Sequence, residues 1–299
     1  MTASIGMPWK TRLKAWWEGY DLSGLGRRGG DDGLDEPGPS DGPHSDYWSA
    51  TRIEIVEMVW GKGFHTPGGD DWIPTLIKPF GLDESMSVLD LGAGLGGASR
   101  HMALTTGAWI TGLEADPVLA HAGMHRSTAA GLEKRAPIGL FDPEDPEFDK
   151  RYDAVFSKEL MFTIGDKRRM IDHVLKALKP RAHFLFTDYV LADGAAKGPA
   201  VTSWLKGEAP PAHPATVSQT KKLLESALFD IRIAEDVTDA YRHRIVTAWE
   251  KLSEIIAQRG KADDETQALI LAEAESWFRR VAAFDAGALR VYRFYALAP

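Results

Sequence analysis

The sequence has no cysteine among its 299 residues. This absence excludes a disulfide framework, a zinc site built on thiolates and a cysteine nucleophile. It is compatible with a cytoplasmic protein, which is the location we expect. The sequence also lacks any apolar run that approaches the roughly 18 residues a membrane-spanning helix needs, and its first residues contain no apolar signal core.

Positive charge is scarce as well. Lys and Arg number 35 against 43 Asp and Glu, which gives a formal net charge of −8. Because general nucleic-acid binding depends on a surplus of positive charge, the composition predicts no nucleic-acid partner. The apolar fraction of 44% is ordinary and is sufficient for a full hydrophobic core.

The first 45 residues differ from the rest of the chain. Residues 8–20 predict a short amphipathic helix that carries several tryptophans on one face and lysine and arginine elsewhere. Such a helix can lie on a membrane surface or pack on the protein itself or on a second subunit, and we favour packing. Residues 23–45 are rich in Gly, Asp and Pro and predict a disordered linker. The folded domain is therefore expected to cover residues 46–299.

Strand and helix patterns alternate within this domain. Alternation at this spacing predicts a parallel, doubly wound sheet, in which ligands bind beyond the carboxyl ends of the strands. The predicted strands are residues 87–91, 108–113, 137–141, 152–157, 182–189, 229–236 and 289–297. The predicted helices are residues 47–60, 71–80, 97–106, 117–130, 166–178, 216–227, 239–258 and 263–282.

A glycine-rich turn follows the first predicted strand. The stretch at 87–100 reads Ser-Val-Leu-Asp-Leu-Gly-Ala-Gly-Leu-Gly-Gly-Ala-Ser-Arg, so that a strand, a glycine turn and a helix N-terminus come in sequence. Glycine allows the backbone to turn sharply and to approach a nucleotide-like ligand closely. The glycines alone also fit a dinucleotide site or an ordinary turn.

Two carboxylates distinguish these alternatives. Asp90 lies two residues before the first glycine, and Glu114 ends the next predicted strand, where it is placed to bind ribose hydroxyls. This pattern resembles the class I S-adenosylmethionine (SAM) methyltransferases, and SAM is therefore the expected cofactor. The residues expected to contact it are Asp90, Gly92, Ala93, Gly94, Glu114, Ala115, Phe141, Asp142, Ser157, His65 and Thr66.

Further segments make the resemblance more specific. Residues 59–69 (Val-Trp-Gly-Lys-Gly-Phe-His-Thr-Pro-Gly-Gly), 152–167, 178–180 (Leu-Lys-Pro) and 186–189 (Phe-Thr-Asp-Tyr), together with the glycine turn, resemble the phosphoethanolamine N-methyltransferase family over about residues 46–299. The resemblance implies SAM-dependent methylation of a small amine. The fold class it implies is α/β, a Rossmann-like, seven-stranded doubly wound sheet with an antiparallel last strand and helical lid insertions. The SAM-binding core would cover about residues 80–190, and the substrate lid and C-terminal strands 190–299.

The sequence departs from that family at several site positions. Lys158 and Glu159 replace an Arg-Asp pair, and Thr163 stands where the family has its active-site histidine. The family's phosphate-binding tyrosine and arginine have no clear match in residues 203–211, where Lys206 is the only cation. These changes put phosphoethanolamine in doubt as the substrate but leave the methyltransferase interpretation unaffected.

The remaining site residues follow from the resemblance and from the strand ends. An amine is mostly protonated near neutral pH, so a neighbouring group has to take its proton. The expected catalytic residues are Tyr189, Glu159, Trp48 and Tyr47, and the expected substrate-binding residues are Trp204, Lys206 and Arg280. No His, Asp or Glu cluster has the spacing of a metal site.

Three other functions remain open at this point. The first is an enzyme that methylates an oxygen or carbon atom of another small metabolite. The second is a membrane-associated methyltransferase of lipid head groups, with residues 8–20 as the anchor. The third is a SAM-binding regulator without activity, which the presence of Thr163 in place of the family's histidine would favour.

Overall fold

The computed structural model describes residues 47–148, 150–195, 198–259 and 262–299. The predicted amphipathic helix at 8–20 and the predicted linker at 23–45 lie outside the described residues. The helices are α1 (Ala50–Trp60), α2 (Gly69–Ile77), α3 (Gly97–Thr106), α4 (Pro117–Ala129), α5 (Lys167–Ala177), α6 (Pro199–Lys206), α7 (Val217–Ser226), α8 (Thr238–Arg259) and α9 (Asp264–Asp285). The strands are β1 (Ser87–Leu91), β2 (Trp109–Glu114), β3 (Ile138–Leu140), β4 (Tyr152–Lys158), β5 (Leu178–Leu191), β6 (Asp230–Asp236) and β7 (Leu289–Leu297).

The seven strands form one sheet in the order β3-β2-β1-β4-β5-β7-β6. Strands β1 to β5 are parallel to one another, whereas β7 is antiparallel to both of its neighbours, β5 and β6. The strand order reverses beside β1, so the ends of β1 and β4 open a crevice at the carboxyl edge of the sheet. The predicted fold class is confirmed, including the antiparallel last strand.

The helix starts follow from their capping residues. The side chain of Ser49 accepts from the backbone N–H of Arg52 at the start of α1, and Asp116 accepts from two backbone N–H groups at the start of α4. Thr216 and Gln219 form a reciprocal capping box at α7. Such side chains satisfy donors that the first turn of a helix leaves unpaired.

The structure differs from the sequence prediction at two elements. β5 begins at Leu178, four residues before the predicted strand, because Leu178 pairs with Tyr152 of β4 and Pro180 cannot continue the preceding helix. The helix α6 (Pro199–Lys206) was not predicted, since a stretch this short has a weak periodic pattern. Its buried residues, Val201 and Trp204, face the long helix α9, which it packs against.

Candidate active site

The glycine turn after β1 is held against the end of β2. The backbone N–H groups of Gly92 and Ala93 both donate to the carbonyl oxygen of Leu113, at 2.9 and 3.0 Å. Gly94 has a φ of +55°, and a side chain there would collide with the ring of His65. Only glycine fits this position without strain, and its lack of a side chain lets the ring of His65 pack directly against the backbone of the turn.

Glu114 is the last residue of β2, and both oxygens of its carboxylate accept hydrogen bonds from backbone N–H groups. Its Oε2 accepts from the backbone N–H of Gly94 at 2.8 Å, and its Oε1 accepts from those of Ala115 and Asp116 at 2.9 and 3.0 Å. Burial raises the pKa of this carboxyl, while the backbone hydrogen bonds oppose that rise. A carboxylate has about four acceptor positions, so Oε2 keeps one for a hydroxyl group of a ligand.

Asp90 ties the strand before the glycine turn to the helix after it. Its Oδ2 accepts from the hydroxyl of Ser99 at 2.5 Å, and the residue is 1% exposed. Burial raises the pKa of Asp90 to about 6, against the hydrogen bond from Ser99. The contact fixes the angle between β1 and α3 and thereby the shape of the turn.

A cleft lies in front of the glycine turn. Its walls are the loop that follows α1, the glycine turn and the end of β4. The lining residues are Gly63, Phe64, His65, Thr66, Asp90, Gly92, Ala93, Gly97, Ala98, Phe156 and Lys158. Five of these eleven residues were expected to contact the cofactor, namely His65, Thr66, Asp90, Gly92 and Ala93, and the other six were not. Gly94, also expected, lies beside the cleft against His65.

His65 is uncharged in this environment. Burial lowers its pKa to about 3, and the ammonium group of Lys158 lowers it further. Its ring meets the ring of Trp48 edge-on, with the centroids 5.7 Å apart. His65 and Trp48 therefore form a neutral, aromatic wall of the cleft, and the ring of His65 packs against Gly94 of the glycine turn.

Lys158 connects two walls of the cleft, the end of β4 and the loop after α1, and the sequence did not predict this role. Its Nζ donates to the carbonyl oxygen of Pro67 at 2.8 Å, to the hydroxyl of Thr66, and to Oε1 of Glu159 at 2.9 Å. These bonds fasten the loop after α1 to the end of β4. The position directly after Ser157 at a strand end was the only signal in the sequence.

Glu159 and Tyr189 meet beside this clamp. Glu159 has a left-handed φ of +60°, and the hydroxyl of Tyr189 donates to its Oε2 at 3.3 Å. Burial, and then the charge of Glu159, raise the pKa of Tyr189 well above its ordinary value. Tyr189 and Glu159 were both expected to be catalytic residues, and in their contact the hydroxyl of Tyr189 is the donor and the carboxylate of Glu159 is the acceptor.

Arg280 lies on the far side of Tyr189. Its Nη2 donates to Oε2 of Glu208 at 2.5 Å and its Nη1 donates to the hydroxyl of Ser276 at 2.8 Å. The guanidinium carbon lies 4.4 Å from the centre of the Trp277 ring and 5.7 Å from that of Tyr189. Burial alone would lower the pKa of Arg280, but Glu208 and the neighbouring groups raise it well above its ordinary value.

Tyr47 joins the same group of side chains through helix α9. Its hydroxyl donates to Oε1 of Glu273 at 3.2 Å, and its ring lies against the guanidinium of Arg52 at 3.6 Å. Arg52 in turn donates to Glu273 at 2.6 Å. Burial and Glu273 raise the pKa of Tyr47, so it too keeps its proton at neutral pH. We call the set Tyr47, Glu159, Tyr189, Glu208 and Arg280 the acceptor cluster.

Four further predicted site residues are not among those that line the cleft. Lys206 is exposed at the end of α6, and Asp142 is exposed and accepts from the backbone N–H of Glu144 at 2.9 Å. Trp204 is fully buried between Phe162 and the acceptor cluster, so its ring is a packing surface. Ser157 is buried, and its hydroxyl donates to the carbonyl oxygen of Leu91 at 2.9 Å, which joins β4 to β1.

The remaining predicted residues flank the cofactor side of the cleft. Phe141 is half-buried, and its backbone N–H donates to the carbonyl oxygen of Glu114 at 3.2 Å. Ala115 contributes its backbone N–H to Glu114. Within the part of the chain that the structure describes, no group of three or more His, Asp or Glu side chains is placed to hold a metal ion.

Comparison with known proteins identifies the family. A family model described as a methyltransferase domain matches residues 70–229, which is more than half of the chain. The chain belongs to the methyltransferase domain family. The matched residues include the glycine turn, Glu114 and the ends of β4 and β5, whereas the part of the cleft formed by residues 63–66 precedes the match.

Individual relatives of this methyltransferase are N-methyltransferases by name. It is 37% identical over 166 residues to a glycine/sarcosine/dimethylglycine N-methyltransferase of Actinopolyspora halophila, which covers 51% of this chain and 29% of that protein. It is 26% identical over 195 residues to phosphoethanolamine N-methyltransferase 1 of Triticum aestivum, covering 65% of this chain and 38% of that protein. The chain therefore spans about a third of the length of these curated relatives.

Solved structures share the fold. Phosphoethanolamine N-methyltransferase 2 of Haemonchus contortus, in complex with S-adenosyl-L-methionine, superposes with a TM-score of 0.76 at 20% identity, over 85% of this chain and 58% of that one. A cyclopropane synthase of Mycobacterium tuberculosis superposes with a TM-score of 0.67 at 16% identity, over 85% of this chain and 96% of that one. The methyltransferase fold is thus confirmed, and it is shared by enzymes that act on different atoms.

Among the described residues, no helix is both long and apolar enough to cross a lipid bilayer.

Proposed function

We propose that this methyltransferase binds SAM in the cleft and transfers its methyl group to the nitrogen of a small amine. The observation that carries the proposal is the juxtaposition of two features at one edge of the sheet. On one side lies the glycine turn with Glu114, and on the other lies the buried pair of Tyr189 and Glu159. Family membership and the names of the relatives support the same reaction.

The residues of the cleft fit the cofactor. The backbone at Gly92 and Ala93 lines the cleft and allows close approach of a nucleoside, and Oε2 of Glu114 retains an acceptor position for a ribose hydroxyl. The uncharged His65 suits a site that must also hold a sulfonium cation, because a second positive charge there would repel it. When bound, SAM supplies an electrophilic methyl group attached to sulfur.

The chain's own residues then position the amine and receive its proton. Glu159 has one hydrogen-bond partner on each carboxylate oxygen, Lys158 on Oε1 and Tyr189 on Oε2, and each oxygen can accept another. An ammonium group that approaches Glu159 can give up a proton to this carboxylate or to a water held by it. The nitrogen lone pair is then free for an in-line approach, for which positioning provides most of the rate.

Aromatic rings surround the place where positive charge grows on the nitrogen. The rings of Tyr47 and Trp48 meet edge-on, with their centroids 5.2 Å apart, and Tyr189 lies in the acceptor cluster. A cation over such a ring is stabilised by roughly 0.5–2 kcal/mol. The proposal therefore assigns cofactor binding to the glycine turn with Glu114, proton acceptance to Glu159, and support of the cation to Tyr47, Trp48 and Tyr189.

The test combines binding with turnover. Calorimetry with S-adenosylhomocysteine measures cofactor binding, and the rate of its formation from SAM measures turnover on ethanolamine, N-methylethanolamine, glycine, sarcosine and a catechol. We expect binding, turnover on at least one amine, and none on the catechol. Turnover on the catechol alone would make the protein an O-methyltransferase, and binding without turnover on any amine would favour a regulator.

A further inference from the structure

We infer that Glu208 is a specificity-determining residue that restricts this enzyme to amines without a phosphate group. The inference rests on the proposed function and deepens it, because it names the class of methyl acceptor. Glu208 forms an ion pair with Arg280, and both residues belong to the acceptor cluster.

The pair is buried and close. Nη2 of Arg280 lies 2.5 Å from Oε2 of Glu208, and the two side chains are 12% and 4% exposed. Burial raises the pKa of the Glu208 carboxyl, and the guanidinium opposes that rise. A second hydrogen bond, from Nη1 to the hydroxyl of Ser276, and the contact with the ring of Trp277 hold Arg280 in this orientation. The positive charge of Arg280 is therefore already balanced.

The other cations around the cluster are balanced in the same way. Lys158 pairs with Glu159 at 2.9 Å, with side chains 8% and 3% exposed. Arg52 pairs with Glu273 at 2.6 Å, with side chains 10% and 6% exposed. Each buried cation thus has one buried carboxylate, and the surroundings of the acceptor carry no surplus positive charge among the described residues.

A phosphate group does not fit this charge balance. A phosphate monoester carries about −1.5 to −2 charges near neutral pH, and in a site shielded from water it would face the carboxylate of Glu208 as well as Arg280. Like charges brought together in such a site cost several kilocalories per mole, so the phosphate would have to displace Glu208. Lys206 is exposed, and Arg279 pairs with Glu275 on the surface of α9.

Arg280 nevertheless keeps donors for a ligand, because its bonds to Glu208 and Ser276 use only two of its five N–H groups. Its Nε–H is buried and has no hydrogen-bond acceptor among the described residues. Such a buried donor is costly unless a ligand or water satisfies it. The Nε–H can donate to a hydroxyl or carboxylate oxygen of an acceptor, whereas a phosphate would also bring up to about two negative charges, which the carboxylate of Glu208 repels. Glu208 thus leaves Arg280 able to orient a small amine but not to bind its phosphate ester.

The experiment compares phosphorylated and free amines on the wild-type protein and on two variants. Glu208→Gln keeps the size of the side chain and frees the charge of Arg280. Glu275→Gln is the matched control. It frees Arg279, which is next to Arg280 on α9, from its ion pair with Glu275 at the surface. Phosphocholine binding is measured by calorimetry on protein saturated with S-adenosylhomocysteine, and turnover is measured on ethanolamine and on phosphoethanolamine.

We expect the wild-type protein to prefer ethanolamine over phosphoethanolamine. We expect Glu208→Gln to bind phosphocholine at least about 10-fold more tightly than the wild type does, a gain of about 1.4 kcal/mol, and to lose this gain in 0.5 M salt. Glu275→Gln should bind it as the wild type does. The double variant Glu208→Gln/Arg280→Gln should show no gain, which assigns the new binding to Arg280.

Two results would overturn the inference while leaving the proposed function intact. One is tight, salt-sensitive phosphocholine binding by the wild-type protein together with faster turnover of phosphoethanolamine. The other is unchanged phosphocholine binding in a folded Glu208→Gln protein. If Glu208→Gln does not fold, the preference of the wild-type protein between the two amines decides the matter. Failure to bind S-adenosylhomocysteine would instead contradict the proposed function.

Discussion

The hydroxyl of Tyr189 donates to Oε2 of Glu159 across 3.3 Å, between the ends of two neighbouring parallel strands. The tyrosine comes from β5, whereas the glutamate follows β4 in a left-handed conformation. That backbone conformation is unfavourable for a residue other than glycine. It directs the carboxylate toward both Tyr189 and Lys158, and a proton that reaches Glu159 enters a hydrogen-bonded network.

Removing the hydroxyl of Tyr189 tests this network. In Tyr189→Phe the ring remains and Glu159 loses one donor, so we expect kcat to fall by about 10²-fold, the lower end of general acid–base effects. Affinity for S-adenosylhomocysteine should not change. Tyr241→Phe is the control, because the Tyr241 hydroxyl is buried, its ring lies 6.1 Å from that of Tyr189, and it has no partner among the described residues. Equal kcat values for wild type and Tyr189→Phe would remove the hydroxyl from the reaction.

Glu114 provides a test of the cofactor site. We expect Glu114→Ala to weaken S-adenosylhomocysteine binding by roughly 1.5–3 kcal/mol, the contribution of a charged hydrogen-bond partner. Glu225→Ala is the control, because Glu225 is exposed on α7, which packs beside β6 at the opposite edge of the sheet. Calorimetry measures both affinities, and thermal unfolding checks that each variant is folded. An unchanged affinity in folded Glu114→Ala would place the ribose elsewhere.

The charge of His65 provides a test by magnetic resonance. Because its folded pKa is about 3 and an ordinary histidine titrates near 6.5, His65 should remain neutral from pH 5 to pH 8. The stability that comes from its neutral form is present above about pH 6.5 and is lost as the pH falls toward 3. The histidine ring resonance that disappears in His65→Gln should keep its chemical shift over this range. A titration midpoint near 6.5 for that resonance would contradict the buried, neutral assignment.

Asp188 links the stability of the protein to pH. Burial raises its pKa to about 8, against the opposing charge of Lys167, and its Oδ1 accepts from the backbone N–H of Phe162 at 3.0 Å. A raised folded pKa contributes stability that is fully present below the unfolded value of about 3.9 and is lost as the pH rises through the folded value. Asp188→Asn stays neutral throughout.

The measurement is the free energy of unfolding in urea at several pH values. We expect the difference between Asp188→Asn and the wild type to shift in favour of the variant as the pH rises from 4 to about 8, and to level off above it. Because groups remote from residue 188 titrate alike in both proteins, the difference reports on Asp188 together with Lys167, the charge that acts on it. A difference that stays constant over this range would mean that Asp188 ionises normally in the folded protein.

The carboxyl edge of the sheet could be predicted from local sequence. The turn at 92–97 needs glycine because its backbone adopts positive φ angles and lies against His65, and such constraints appear directly as residue types. The strand ends at Leu91, Glu114 and Lys158 follow from short apolar runs, as does the alternation that places them together. The family resemblance and the fold could therefore be predicted without knowledge of contacts between residues that are far apart in the sequence.

The charge balance of the acceptor cluster could not be predicted in this way. Glu208 and Arg280 are 72 residues apart, and Arg52 and Glu273 are separated by 221. The two pairings depend on how α6 and α1 pack against α9, which no local pattern specifies. The same packing buries Trp204, which we had expected to face the substrate, and leaves Lys206 exposed.

The most direct test of the central claim is a single turnover with SAM that carries a ¹³C-labelled methyl group. Protein in excess over labelled SAM is mixed with ethanolamine or glycine, and the product is examined by carbon and proton magnetic resonance. The account predicts that the label appears in a methyl group bonded to nitrogen and that Glu159→Ala slows its appearance. A label found on oxygen or carbon, or one that stays on sulfur with every amine, would contradict the account.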